Sequence, residues 1–276
     1  MNEPNHNTVS HTARKRFGQN FLQDGLVIDN ILRAIGPKSG DQLVEIGPGQ
    51  AALTQPMVDQ LADNSSLNLL EIDRDLAAQL ELQFANDQRI NIHLGDALDF
   101  NFATLRQQVE KPLRVFGNLP YNISTPLIFH LLQQAAAEPQ ADVISDMHFM
   151  LQREVVDRMA AAPGSKTYGR LSIMTQYYCA VEPLFDVPPE AFSPKPKVMS
   201  AIVRLLPYKT LPLQADQPQI LDKVVRAAFA QRRKTLRNGL KGLISADQLE
   251  ALNVDPTSRA ETLDIATFVK IANALK

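Results

Sequence analysis

Short apolar runs recur at strand length through the first two-thirds of the chain: DQLVEI (41–46), LNLLEI (67–72), INIHL (90–94), LRVFGN (113–118) and DMHFML (146–151). Helical segments fall between them. One runs from Asp24, a good N-cap, to Ile35. Thr54 can cap another with Pro56 tolerated in its first turn, and others run near 74–85, 101–109 and 125–137. This alternation predicts an α/β domain with a mostly parallel sheet. VEPLFDV (181–187) and SAIVRLL (200–206) are joined by a proline-rich link without a helical period, which predicts an antiparallel hairpin closing the sheet edge. Beyond LPYKTLPLQADQPQ (206–219) the pattern is purely helical, so that stretch reads as a linker to a small helical domain. The expected division is a disordered tail over 1–13, an α/β domain over 14–208 and a helical domain over 209–276.

Length and composition narrow the class. A chain of 276 residues with 45% hydrophobic content supports one full-sized core and a small second domain. No run of about 18 apolar residues and no charged-then-apolar leader occurs, so neither a membrane span nor a secretory signal is expected. The single cysteine, Cys179, sits in IMTQYYCAV and reads as a packed thiol of a reducing cytoplasm. The five histidines show no ligand spacing, and no metal is expected. The net charge of -2 hides a segregation. From Ser193 to Lys241 there are eleven Lys/Arg against Asp216 and Asp222, or +9, which leaves -11 elsewhere. That asymmetry points to a polyanion partner at one end.

The candidate chemistry lies at strand ends. The first strand runs into EIGPGQAALT (45–54), where Gly47, Gly49 and Ala52 permit close backbone approach to a nucleotide-like ligand and also fit the dinucleotide pattern. Glu71 closes the second strand and can accept two hydrogen bonds from the vicinal hydroxyls of a ribose. Asp96 follows the third strand, placed to accept from an exocyclic adenine amine. Each acid alone reads as a solvated strand end, but three ligand-like features after three successive strands describe an adenosine site. Glu45 tilts the choice of cofactor. Near a pyrophosphate its carboxylate is unfavourable, whereas it suits the cationic amino and sulfonium groups of S-adenosylmethionine. A nicotinamide or flavin cofactor is the rival. After the fourth strand, VFGNLPYNIS (115–124) ends in an amide, a proline and an aromatic ring. Taken alone, NLPY is a turn.

With these residues in hand the chain closely resembles the ribosomal RNA adenine dimethyltransferase family, in its bacterial small-subunit branch. The matching segments are RKRFGQNFL, EIGPGQAALT, EIDRDL, GDAL, GNLPYNISTPL, PGSKTYGRLS, FSPKPKVMSAIVRL and RRKTLRNGL, running from Arg14 to the C-terminal region. The resemblance implies a Rossmann-like, seven-stranded S-adenosylmethionine-dependent methyltransferase domain with a small all-helical C-terminal domain. It implies dimethylation of the N6 amino group of two adjacent adenosines in the 3′-terminal hairpin of 16S rRNA, and a role in small-subunit biogenesis. Asn20, Leu22 and Ala97 then join Glu45, Gly47, Gly49, Glu71, Asp96 and Asn118 around the cofactor. Met199 departs from the family, which commonly has an acid there. The related branch that methylates large-subunit rRNA is the nearest rival. It usually carries isoleucine where this chain has Leu119, and it lacks much of the FSPKPKV and RRKTLRN wording.

The resemblance gives the strand end a chemical reading. An adenine amine is a poor nucleophile because its lone pair is delocalised into the ring. The side-chain oxygen of Asn118 and the carbonyl of Leu119 can each accept one N–H and so favour a pyramidal nitrogen. Pro120 helps to fix that carbonyl, Tyr121 offers a face for the base, and Phe192 resembles the family's second aromatic. Arg232, Arg233, Lys234 and Arg237 can contact phosphates, as can Lys195 and Lys197, with Arg14, Lys15 and Arg16 as a flexible arm. The expected partner is small-subunit rRNA, within a ribosomal particle, bound by a cytoplasmic monomer. A non-enzymatic assembly factor that keeps a cofactor fold is the other class in view.

Overall fold

A computed structural model of the chain describes residues 20–137 and 142–275. In chain order the strands are β1 (Phe21–Leu22), β2 (Gln42–Ile46), β3 (Ser66–Glu71), β4 (Ile90–Leu94), β5 (Leu113–Asn118), β6 (Ile144–Gln152), β7 (Cys179–Val187), β8 (Phe192–Ser193) and β9 (Ser200–Pro207). The helices are α1 (Gly25–Ile35), α2 (Thr54–Gln60), α3 (Arg74–Gln83), α4 (Phe102–Gln107), α5 (Ser124–Ala137), α6 (Arg153–Met159), α7 (Arg170–Tyr178), α8 (Pro218–Phe229), α9 (Leu236–Gly239), α10 (Ala246–Ala251) and α11 (Ile265–Asn273).

Seven strands form one sheet in the order β4-β3-β2-β5-β6-β9-β7. Strands β2 to β6 pair in parallel, and β9 runs antiparallel to both β6 and β7. The expected hairpin at the sheet edge is present. Pro183 cannot donate to a ladder, and it sits where such a residue is tolerated, in edge strand β7 beside a register shift. The chain runs outward from β2 through β3 to β4 and then returns to place β5 on the other side of β2. The carboxyl ends of β2 and β5 therefore form the switch point at which open α/β sheets bind ligands.

The helix signals near the N-terminus hold. Asp24 accepts hydrogen bonds from Leu26 N and Val27 N, and α1 stops at Gly36, whose φ of 55° is left-handed. Thr54 departs from expectation. The residue before the helix is Leu53, and the Thr54 hydroxyl donates to Glu45 Oε2 at 2.7 Å instead of capping. Helix α7 carries little periodic signal because Leu171, Ser172, Ile173, Met174, Thr175, Tyr177 and Tyr178 are all buried, which leaves it no polar face.

One sheet face packs on α1 and the core residues Leu32, Phe116, Met150 and Ile202. The other face shares a continuous apolar cluster with the C-terminal helices, from Val115 and Phe149 through Tyr168 to Val224 and Phe268. Tyr168 donates its hydroxyl to Leu263 O at 2.9 Å, and its ring meets Phe229 edge-on at 6.2 Å. The expected boundary at 208/209 falls between β9 and α8, and the apolar core runs across it. Cys179 lies fully buried in that core and donates its thiol to Thr175 O.

Candidate active site

Gly117 explains how β5 can end so close to β2. A Cβ there would fall inside contact distance of the Ile46 carbonyl oxygen, so only glycine lets the two strands deliver their ends to one point. The chain leaving β2 then turns through Gly47, Gly49 and Ala51, with φ of 68°, 57° and 63°. The glycines adopt this backbone without strain, whereas Ala51 is held in it by the surrounding loop. Gly47 N donates to Leu70 O at 2.9 Å, tying the loop to β3.

A cleft of about 950 Å³, counting its open mouth, lies over this point. It is lined by Asn20 and Leu22 from β1 and its approach, and by Glu45, Gly47 and Gly49 from β2 and its loop. Glu71 from β3 and Asp96 and Ala97 after β4 form a further wall, and Asn118, Leu119, Pro120 and Tyr121 after β5 complete it. Thus the cofactor set and the NLPY set expected from sequence meet in one cavity. Phe21, Ile72 and Ile123 also line it, although no sequence signal singled them out. Ile72 directly follows the strand-ending Glu71 and is 46% exposed, which is unusual for isoleucine after a buried strand.

The acids are held differently. Glu45 is 2% exposed, and its pKa is pushed up to about 8, chiefly by burial. Glu71 accepts from Gly49 N at 3.1 Å and Asp73 N at 2.9 Å. Burial raises its pKa while these backbone donors lower it. Asp96 accepts from Leu98 N at 2.9 Å, closing the turn after β4. Three carboxyl groups in a partly apolar cleft suit a ligand with a positive charge and ribose hydroxyls, and are poorly matched to a pyrophosphate.

On the opposite wall Asn118 Nδ2 donates to Asn20 O at 2.9 Å. Only the amide nitrogen can donate to a carbonyl, so this bond fixes which end of the side chain is the acceptor. Leu119 N donates to Met150 O at 3.3 Å, anchoring the residue whose carbonyl is the second expected acceptor. Pro120 O accepts from Ile123 N and Ser124 N, both at 3.1 Å, and so starts α5 directly behind the motif. Tyr121 Oη lies 2.7 Å from Ser200 Oγ, which pins the ring from β9.

Phe192 departs from expectation. It does not line the cleft; it is 3% exposed within the core beside α1, paired through β8 with Leu22. Its place is to support β1, which contains Leu22 and directly follows Asn20. Arg232 also differs from a free phosphate contact. Its guanidinium donates to Lys166 O at 2.7 Å and Tyr168 O at 3.4 Å, and pairs with Glu261 at 3.4 Å. Arg233, Lys234 and Arg237 are exposed near the end of α8 and on α9. Lys195 and Lys197 are exposed between β8 and β9, Lys195 lying 3.6 Å from Glu190. Arg14, Lys15 and Arg16 lie outside the described residues, as does the tail over 1–13.

Known proteins resemble this chain in sequence and fold. The model of the ribosomal RNA adenine dimethylase family matches residues 10–276. Ribosomal RNA small subunit methyltransferase A of Pseudomonas aeruginosa is 58% identical over 265 residues, covering 96% of this chain and 95% of the relative. The protein of that name from Escherichia coli is 52% identical, covering 96% and 94%. The crystal structure of a dimethyladenosine transferase from Plasmodium falciparum superposes with a TM-score of 0.74 at 25% identity, covering 91% of this chain and 95% of the other. The 23S rRNA methyltransferase ErmE shares the fold at a TM-score of 0.68 and 21% identity, covering 93% and 99%.

Proposed function

The chain belongs to the ribosomal RNA adenine dimethylase family and is an S-adenosylmethionine-dependent rRNA adenine dimethyltransferase, and from that premise we propose that it acts on the small subunit. Its targets are then two adjacent adenosines in the 3′-terminal hairpin of 16S rRNA, and small-subunit biogenesis is its setting. The small-subunit names of relatives above 50% identity favour this branch over the large-subunit one.

The observation that carries the reading is one cleft at the sheet's switch point, with Glu45, Glu71 and Asp96 on one wall and Asn118 to Tyr121 on the other. In this assignment Asn20, Leu22, Gly47, Gly49 and Ala97 complete the cofactor wall. When bound, S-adenosylmethionine supplies an electrophilic methyl group on a sulfonium that leaves as a neutral thioether. Glu45 and Glu71 favour its positive charge, and the glycine loop allows close approach. Asn118, oriented by its bond to Asn20, and the Leu119 carbonyl accept the two amine N–H bonds and localise the nitrogen lone pair. Tyr121 offers its ring to an unstacked base, an interaction of about 1 to 3 kcal/mol that offsets the few kcal/mol needed to extrude it. Positioning and desolvation carry the catalysis, so neither a strong general base nor a metal is needed. The methylated nitrogen sheds one proton to solvent, which leaves one N–H for one acceptor; once the spent cofactor has been exchanged for a second S-adenosylmethionine, rotation about the C–N bond presents the lone pair again.

The remaining assignments are proposed alongside this chemistry. The basic residues near α8 and α9 dock on rRNA phosphates, the protein works as a monomer, and the substrate is a small ribosomal particle in the cytoplasm. Among the described residues no helix is long and apolar enough to cross a membrane. Incubation with labelled S-adenosylmethionine and small ribosomal particles lacking the modification, followed by mapping, tests the reading. The expected product is dimethyladenosine at adjacent positions; particle binding without label would instead support a non-enzymatic assembly role.

A further inference from the structure

The loop between β8 and β9 carries an apolar and basic surface that the mechanism does not use. Val198 is 44% exposed and Met199 39% exposed, and they are consecutive, with Lys197 and Lys195 exposed beside them. Both ends of the loop are fixed to the walls of the cleft. Ser193 pairs with Phe21, which lines the cleft, and Ser200 meets the Tyr121 hydroxyl at 2.7 Å. Met199 O also accepts from Arg153 N at 2.9 Å, which anchors the backbone while the side chain stays exposed. Residues 194–199 therefore form a rim of the cleft with a pinned main chain.

We infer that this rim is a substrate contact, in which Val198 and Met199 cover the base next to the target adenosine while Lys195 and Lys197 hold the adjoining phosphates. The inference rests on the proposed reaction. An adenosine that leaves its stack uncovers the face of its neighbour, which then needs an apolar cover beside a polyanionic backbone. Exposed aliphatic groups flanked by lysines have that complementarity, and apolar side chains are used in this way where proteins unstack bases. The two apolar residues act on positioning and on the choice of the neighbouring base, not on the methyl transfer itself.

The test uses the full chain and unmodified small ribosomal particles. Val198→Ser with Met199→Ser is expected to lower kcat/KM for particles by roughly 10- to 100-fold, leave S-adenosylmethionine affinity unchanged, and remove the chemical footprint from the nucleotide adjoining the target. Met199→Leu should retain both activity and footprint. Lys195→Gln with Lys197→Gln should make the slope of log affinity against log salt less steep by up to about 2 units. Should the double serine variant fold poorly, Met199→Gln provides the same comparison. An unchanged kcat/KM and footprint would overturn the inference, as would a slower reaction with the footprint intact. Absence of methylation by the unaltered protein would instead overturn the proposed function.

Discussion

Glu45 has its pKa pushed up to about 8 by burial, helped by the charge of Glu71 and opposed by the Thr54 hydroxyl. A raised carboxyl pKa contributes stability that is fully present below the ordinary value of 4.5 and is lost as pH rises through about 8. A cationic ligand beside the group reverses that loss, so its binding should expel a proton near neutral pH. Calorimetry in buffers of different ionisation enthalpy should show release of up to about one proton per S-adenosylmethionine near pH 7, with affinity rising from about pH 6 to about pH 8. Glu45→Gln should flatten both effects, and a pH-independent affinity in the parent protein would contradict the assignment. Tyr121→Phe should be mild and Tyr121→Ala severe in turnover, because the ring face and not the hydroxyl carries the proposed role. Equal losses in the two variants would place the weight on the bond to Ser200. At this scale the acids and NLPY are legible because each stands at or just beyond the end of a recognisable strand. Phe21 is not, because its pairing with Ser193 joins residues remote in sequence.

The meeting of β2 and β5 depends on one missing side chain. Gly117→Ala would drive a methyl group into the Ile46 carbonyl or push Asn118 out of register. Overpacking of this kind costs about 1 to 3 kcal/mol, a loss of roughly 2 to 12 °C in Tm for a chain of this size. Thermal denaturation together with turnover checks this; a variant with normal Tm and normal activity would show that the strands can separate without consequence. The five parallel strands and the closing hairpin could be read from their apolar runs and the links between them. Thr54 binds Glu45 instead of capping its helix, because local propensity cannot see a buried carboxylate one loop away. Motif resemblance alone points Phe192 at the base, whereas strand pairing places it in the core.

Across the whole molecule the charge segregation separates docking from chemistry. Replacing Arg233, Lys234 and Arg237 together by Gln should weaken binding to rRNA and lessen the slope of log affinity against log salt by about 2 to 3 units, leaving S-adenosylmethionine affinity unchanged. Arg232→Gln should behave differently. Its bonds to Lys166, Tyr168 and Glu261 are internal, so thermal stability should fall with little change in that slope. A full share of the salt effect from Arg232 would mean that those bonds open in the complex. Composition revealed the basic segment but could not tell a phosphate contact from a structural tie, since that depends on where the loop around Lys166 packs. The central claim is that Asn118 holds an adenine amine ready for methylation in the cleft between the two walls. Single-turnover methylation of unmodified small ribosomal particles by the parent protein and by Asn118→Ala tests it most directly. The predicted result is a rate lower by roughly 100 to 1,000-fold in a variant that remains folded and still binds particles, whereas a near-normal rate would contradict the account.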